Sequence, residues 1–326
     1  MKTGKLNNDD LKRIVLERLP VCSTEVSKGP ATGLDCAILK SREGLMVISS
    51  DPITGAANDV GRIAIHVSCN DIACCGIKPT AIMLVIIAPK SSTEEELISV
   101  IDQASDAARK LGVDIVGGHT EVSDSVNRFV LITTAFGFTD NATVVKSSGA
   151  KVGDSILMTK YAGLEGTAIL AADFGDRLSG RIKPEELENA KNLIDNISVV
   201  DEGVLCGSLK VNAMHDATEG GIMGAVWEMA EAGEVGCSID LAKIPILPET
   251  KAICDAFELD PYKLISSGCM LISTERADEV IDMLKANNIF CTEIGKIVEK
   301  NRTYSDLNGQ INELSAPQAD ELYKIT

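Results

Sequence analysis

The sequence is poor in aromatic residues and in basic charge, and it lacks most of the short motifs that announce common chemistries. Phe, Trp and Tyr make up 3% of the 326 residues. The 45% that is hydrophobic therefore rests on Ala, Val, Ile and Leu, the residues that fill helix-on-sheet layers, and it excludes disorder as the main state. Lys and Arg number 31 against 48 Asp and Glu, a formal charge of −17, with no dense basic cluster. A protein that lives on nucleic acid needs a basic stripe, so that class is excluded. An acidic chain can still take a polyanion where a metal ion or backbone N–H groups carry the charge locally. No run approaches the ~18 uninterrupted apolar residues of a membrane span, and the N-terminal MKTGKLNNDDLKRIVLERL has no apolar signal core. A cytoplasmic protein without a membrane partner is expected. The ten cysteines then read as reduced thiols, and none forms a C-x-x-C pair. Cys69, Cys74 and Cys75 lie along an apolar helix and read as structural, with a redox or metal role as the alternative. Also missing are the G-x-x-x-x-G-K-[ST] loop, a G-x-G-x-x-G opening a βαβ unit, H-E-x-x-H and G-x-S-x-G.

What is there is alternation of strand and helix over a length comfortable for two domains, which we place at 1–150 and 151–326 around the SGAKVGD loop. Residues 8–19 predict an amphipathic helix closed by Pro20. STEVSKGPATG reads as an irregular loop, and Cys36–Leu39 and Leu45–Ser49 as a hairpin across KSREG, with Pro52 stopping the second strand. A long apolar helix spans 60–75, a strand Thr80–Ile87, an amphipathic helix 94–111, then strands Val113–Val116 and Arg128–Phe136. The second half predicts strands at 155–159, 211–214, 236–240, 269–273 and 290–298. Its helices fall at 164–173, 185–196, 199–209, 221–232, 249–257 and 276–287, and SAPQADELYKIT reads as a solvated tail or a fraying helix. The class is α/β with α+β character.

Four aspartates stand where apolar runs begin, end or are interrupted: Asp35, Asp51, Asp71 and Asp216. A carboxylate inside an apolar helix is costly unless paired, and no Lys or Arg lies near Asp71 in sequence. Two carboxylates about 4 Å apart repel by ~4 kcal/mol at an effective dielectric near 20. Convergence of several would call for a hard divalent ion such as Mg²⁺; each as an isolated cap or turn residue is the plainer alternative. Gly117-Gly118-His119-Thr120-Glu121 follows a strand as a glycine turn, where backbone N–H groups can approach phosphate or where the chain merely turns. Gly163-Leu164-Glu165-Gly166-Thr167 and Gly220-Gly221 place helix N-termini after strands. His66 reads as a packing residue; His119 and His215 are each open to a structural or a proton-carrying role.

Taken together, GLDCAIL, SSDPITG, DVGRIAIHVSCNDIACCGIKP, DIVGGHTE, GDSILMTK with GLEGTAIL, and HDATEGGI resemble, in order, the superfamily of AIR synthase, thiamine-monophosphate kinase, selenophosphate synthetase and HypE. The match is nearest to the HypE-like, AIR synthase-related branch. The resemblance implies a PurM-like two-domain fold, in which N-terminal domains of a homodimer pair into a β-barrel and the C-terminal domain is a layered α/β unit. It implies ATP and Mg²⁺ as cofactors, with Asp35, Asp51, Asp71 and Asp216 as metal ligands. Asn70, Asp71, Gly117, Gly118 and Thr120 would contact the nucleotide, and His119, Glu121 and Asp216 would carry catalysis. The chemistry implied is activation of a substrate oxygen by phosphoryl transfer, in a setting of hydrogenase-type maturation.

Departures qualify this. Leu34 replaces the acidic residue usual before Asp35, and Glu219 stands where HypE commonly has Arg. The surroundings of Cys22 do not match the reactive cysteine of selenophosphate synthetase, and the sequence ends in ELYKIT with its last cysteine at Cys291. Self-carbamoylation of a C-terminal cysteine is therefore not expected, and the substrate is an unidentified small molecule or partner protein. The alternatives are a small-molecule kinase resembling thiamine-monophosphate kinase and a non-catalytic nucleotide-binding assembly factor.

Overall fold

A computed structural model describes residues 4–5, 10–20, 22, 26–28, 38–39, 43–54 and 56–325. Asp35, Leu34 and Cys36 lie outside the described residues. The chain divides into two compact units, one of residues 1–72 and 78–143, the other of 73–77 and 144–326.

The first unit is built on a five-stranded sheet of β1 (Gly4–Lys5), β4 (Leu45–Ile53), β5 (Pro79–Pro89), β6 (Asp114–Ser123) and β7 (Val130–Thr139), in the order β1-β6-β5-β7-β4. β5 and β6 are parallel; the other neighbours are antiparallel. Helices α1 (Val60–Cys74) and α2 (Glu94–Leu111) supply its helical layer. α2 has the expected bounds 94–111; it begins with a full capping box between Thr93 and Glu96 and ends at Gly112 in the left-handed region. α1 is buried on most of its surface, including Ile63, Ala64, Ile65, Cys69, Ile72 and Ala73, the signature of an element hydrophobic all round. Gly61 lets the two helices approach: a Cβ there would stand 2.1 Å from the Val100 carbonyl oxygen, and its N–H donates to Gln103 Oε1 at 3.1 Å.

Several local expectations fail here. Pro52 does not stop its strand, because β4 is an edge strand among those described and pairs only with β7, so the missing N–H can face outward. Ile38–Leu39 (β3) pairs with Val26–Lys28 (β2) instead of forming a hairpin with β4, which also puts a strand inside the expected loop. The GGHTE segment is no turn but the middle of β6, which runs through it after a bulge opposite Ile82 and Met83. The expected helix over 8–19 is, from Leu11, one π turn and one 3₁₀ turn, with Ile14 buried.

The second unit has a seven-stranded sheet in the order β14-β13-β10-β12-β8-β11-β9. The strands are β8 (Ser155–Thr159), β9 (Ala213–Asp216), β10 (Gly236–Asp240), β11 (Met270–Thr274), β12 (Cys291–Val298), β13 (Arg302–Ser305) and β14 (Ile311–Glu313). Its helices are α3 (Leu164–Asp173), the single turn α4 (Gly175–Leu178), α5 (Pro184–Asn192), α6 (Val200–Ser208), α7 (Gly221–Ala232), α8 (Pro248–Phe257) and α9 (Ala277–Ala286). Strand alternation divides the core into two layers. Ile156, Met158, Ala213 and Leu271 join α7 residues such as Val226 and Met229 on one face. Leu157, Met214, Met270 and Ile272 join Cys206 of α6 and Val280 and Leu284 of α9 on the other. The segment 314–325 is not a solvated tail: Leu314, Asp320, Glu321 and Leu322 are all buried. No helix among the described residues is long and apolar enough to cross a membrane.

Gly118 sits at φ 148°, and a Cβ on it would lie 1.7 Å from the Leu84 carbonyl oxygen, whereas one on Gly117 would meet only the flexible end of Met83. Gly118→Ala is therefore expected to destabilise the protein by ~2–4 kcal/mol and Gly117→Ala by under ~1 kcal/mol, read by urea unfolding. Equal losses would contradict the strand path through GGHTE.

Candidate functional site

In the first unit the site begins with the seam between α1 and β4. Alternation turns Ser49 and Asp51 to the same side of the strand, and helical spacing turns Ser68 and Asp71 to the same side of α1. The two pairs interlock. The Ser68 hydroxyl donates to Asp51 Oδ2 at 3.1 Å and lies 2.7 Å from Thr133 Oγ1, while the Ser49 hydroxyl donates to Asp71 Oδ2. Thr133, the cross-strand neighbour of Asp51, donates to the Ala64 carbonyl of α1 at 2.8 Å. The partner that Asp71 requires is thus supplied in part by a hydroxyl of the facing strand, and no charge is neutralised by it. Asn70, beside Asp71, is fully buried.

Register places the GGHTE residues. Thr133 lies opposite Leu84, Leu131 opposite Ile86, and Ile86 opposite Thr120. Thr120 therefore shares the helix-covered face with Asp51, and it is buried. His119 and Glu121 lie opposite Val85 and Ile87 on the other face, where His119 Nε2 is 3.2 Å from Glu121 Oε2 and both side chains are exposed. That face also shows Met46, Ile48 and Met83, at 54%, 51% and 36% exposure. The structure brings Asp51, Asp71, Asn70 and Thr120 to one side of the sheet and puts His119 and Glu121 on the other, with Gly117 and Gly118 in the strand between.

In the second unit Asp216 is the last residue of β9, paired with Met270 of β11 and buried. Cys74 Sγ lies 3.7 Å from its Oδ1. Next to it, His215 Nε2 is 3.0 Å from Glu228 Oε2. Burial pulls the His215 imidazole down, but the Glu228 hydrogen bond and the charges of Asp216 and Glu228 outweigh it and leave its pKa raised.

Two acidic residues here escaped the sequence reading. Glu165, in the first turn of α3, is 3% exposed, and its Oε2 has no hydrogen-bond partner. Burial pushes its pKa up to about 7; a hydrogen bond with Ser267 opposes the rise, and Asp320 and Asp216 add to it. Asp320 is buried against the loop after Asp216. Burial raises its pKa against the pull of three backbone N–H groups. The only signal for Glu165 was an acidic residue in an otherwise apolar helix start; for Asp320 there was none, because its partners are backbone groups distant in sequence. Cys22 is exposed, and burial with the nearby Asp114 raises its thiol pKa, the reverse of an activated nucleophile.

Among the described residues, no group of three or more His, Cys, Asp or Glu side chains is placed to hold a metal ion by itself. The donors at the α1–β4 seam are hard carboxylate and hydroxyl oxygens in a half-open setting. That set fits Mg²⁺, which binds through one or two carboxylates and completes its shell with water and phosphate oxygens.

Comparison with known proteins gives a consistent picture. The AIR synthase related protein N-terminal domain matches residues 33–139 and its C-terminal domain residues 151–308. A Methanocaldococcus jannaschii protein provisionally named for hydrogenase expression/formation is 30% identical over 289 residues, 86% of this chain and 84% of that protein. The structure of HypE from E. coli, a hydrogenase maturation protein, aligns with a TM-score of 0.80 at 22% identity, over 97% of this chain and 99% of that one. HypE solved in complex with ATP aligns with a TM-score of 0.76 at 20% identity, over 96% and 95% of the two chains. At these identities the structural likeness speaks for the fold.

A carboxyl whose folded pKa lies near 7 against an ordinary 4.5 stabilises the fold only while protonated. That contribution is complete below about pH 4.5 and is lost as the pH rises through ~7. In metal-free protein, Glu165→Gln should therefore gain on wild type by on the order of 3 kcal/mol between pH 5 and 8.5, measured by urea unfolding. Parallel pH profiles for the two proteins would show that Glu165 does not titrate this way.

Proposed function

Because this chain belongs to the AIR synthase-related protein family, we propose that it is an ATP- and Mg²⁺-dependent enzyme that transfers a phosphoryl group to an oxygen of its substrate, in hydrogenase-type maturation. Its fold is the PurM-like fold of that family. The observation that carries the reading is the hydroxyl-braced carboxylate pair Asp51 and Asp71. Two acids lie on facing elements, and each accepts from a serine that fixes its orientation. Such a pair attracts a hard cation, and the cation brings a polyphosphate to a protein of net charge −17.

By family resemblance Asp35, Asp51, Asp71 and Asp216 are the carboxylates assigned to Mg²⁺, and the placement of Asp51 and Asp71 within one unit supports the reading. Bound there, the ion would neutralise phosphate charge. By family resemblance Asn70, Gly117, Gly118 and Thr120, with Asp71, are assigned to the nucleotide and Asp216 to the transfer step. His119 and Glu121, expected to share that step, lie on the opposite face of the sheet and are not assigned to it. In such a reaction the γ-phosphoryl group passes from ATP to the acceptor oxygen with release of ADP. Catalysis then rests on positioning and charge stabilisation, with no protein nucleophile required. The raised thiol pKa of Cys22 accords with that.

The family's homodimer is the assembly we propose. The open sheet face with Met46, Ile48 and Met83 is the apolar surface that a second copy would cover, His119 and Glu121 being on the same face.

Calorimetric titration with ATP and Mg²⁺ tests the reading. Asp71→Ala and Asp51→Ala should each weaken Mg·ATP binding at least ~10-fold, about 1.4 kcal/mol, with folding retained. Absence of binding to the wild type, or variants that bind as the wild type does, would overturn it.

A further inference from the structure

Helix α7 starts five residues after Asp216, and its N-cap residue, Gly220, has φ 81° and no capping side chain. The Gly221 and Met223 N–H groups bond the Thr218 and Tyr262 carbonyls at 3.1 Å each, and the acceptor for the buried Gly220 N–H comes from 100 residues further along the chain. Asp320 Oδ2 accepts the Gly220 N–H at 2.7 Å. Its Oδ1 accepts those of Ile265 at 3.2 Å and Leu322 at 2.8 Å. One carboxylate thus ties together the loop that follows Asp216, the loop that leads into β11, and its own segment.

Neighbouring residues reinforce the tie. Pro317 covers the glycine surface of the α7 start, where a Cβ on Gly220 or Gly224 would come within 3.0 and 3.3 Å of the Pro317 Cβ. The Tyr323 hydroxyl donates to Glu219 at 2.5 Å, and Glu321 Oε2 accepts from the Asp260 N–H at 3.1 Å. Leu314 and Leu322, at 4% and 2% exposure, anchor the segment at either side. The clamped loops frame Asp216 directly: Ala217 N–H donates to the Cys269 carbonyl at 3.0 Å, and Asp216 is paired with Met270.

We propose that Asp320 is a positioning residue for Asp216. It accepts the Gly220 N–H that no residue of helix α7 can satisfy, and residues 314–323 act as a strap that holds the Asp216 loop in the geometry used for Mg·nucleotide. The second half of this statement rests on the function proposed above; the first does not. The ligand is a magnesium-bound polyphosphate, and Asp320 acts on it only through the loop. An asparagine at 320 keeps one oxygen and loses the other, so it should keep part of the tie and release the rest.

The test uses the full chain with Asp320→Asn, Asp320→Ala and Tyr323→Phe. Hydrogen exchange on ligand-free protein should show amides of residues 217–224 and 265 exchanging at least ~10-fold faster in Asp320→Asn, with β8 and β11 amides within ~2-fold of wild type. Asp320→Ala should exceed Asp320→Asn, and Tyr323→Phe should fall below it. Titration with ATP and Mg²⁺ should then show binding weakened about 10-fold in Asp320→Asn. Unchanged loop exchange, or an equal rise throughout the second unit, overturns the strap. Faster loop exchange with undiminished binding overturns the positioning role. Should the wild type itself bind no Mg·ATP, the proposed function fails, and the exchange data alone decide whether Asp320 holds the loop. Should Asp320→Ala fail to fold, Asp320→Asn and Tyr323→Phe still decide.

Discussion

The first unit depends on how an almost wholly buried helix accommodates acids and hydroxyls against a sheet. Ser49 bonds Asp71, Ser68 bonds Asp51, and Ser68 and Thr133 are linked in turn. Buried polar groups persist only when hydrogen-bonded, so these links are a condition for seating α1 at all. They also set its rotation and height, because a shift by one residue would break both serine–aspartate bonds. The seam therefore holds the two acids in fixed positions on facing elements.

The second unit buries carboxylates by different means. Asp320 is met by backbone N–H groups, Glu202 by the ammonium of Lys160 at 2.5 Å, and Glu165 chiefly by holding its proton. These arrangements explain how a chain of net charge −17 keeps acids inside its core. They also concentrate a pKa near neutrality and a loop anchor around Asp216, where perturbed groups cluster at functional sites more often than elsewhere.

Much of this was legible in the sequence where periodicity was strong. The segments 94–111, 155–159, 164–173, 221–232 and 236–240 have the predicted bounds. Misreadings share one cause: rules about single residues were applied without knowing the neighbouring strand. Pro52 breaks a central strand but not an edge, and Gly117-Gly118 makes a turn unless a parallel neighbour and a bulge draw it into a sheet. The terminal segment looked polar because three of its twelve residues are charged, yet Asp320 and Glu321 face backbone N–H groups inside. At the site, Asp71 was visible as an anomaly in an apolar helix, but its hydroxyl partner stands 22 residues earlier and carries no signal of its own. Family resemblance singled out residues; only register shows that Thr120 and His119 of one motif face opposite ways.

The central claim is that the braced pair Asp51 and Asp71 receives a magnesium ion carrying a nucleotide. A crystal structure with magnesium and a non-hydrolysable ATP analogue tests it most directly. The account predicts a cation coordinated by at least one of these two carboxylates and by phosphate oxygens, with the Ser49 and Ser68 bonds retained. A nucleotide whose metal touches neither aspartate would contradict it.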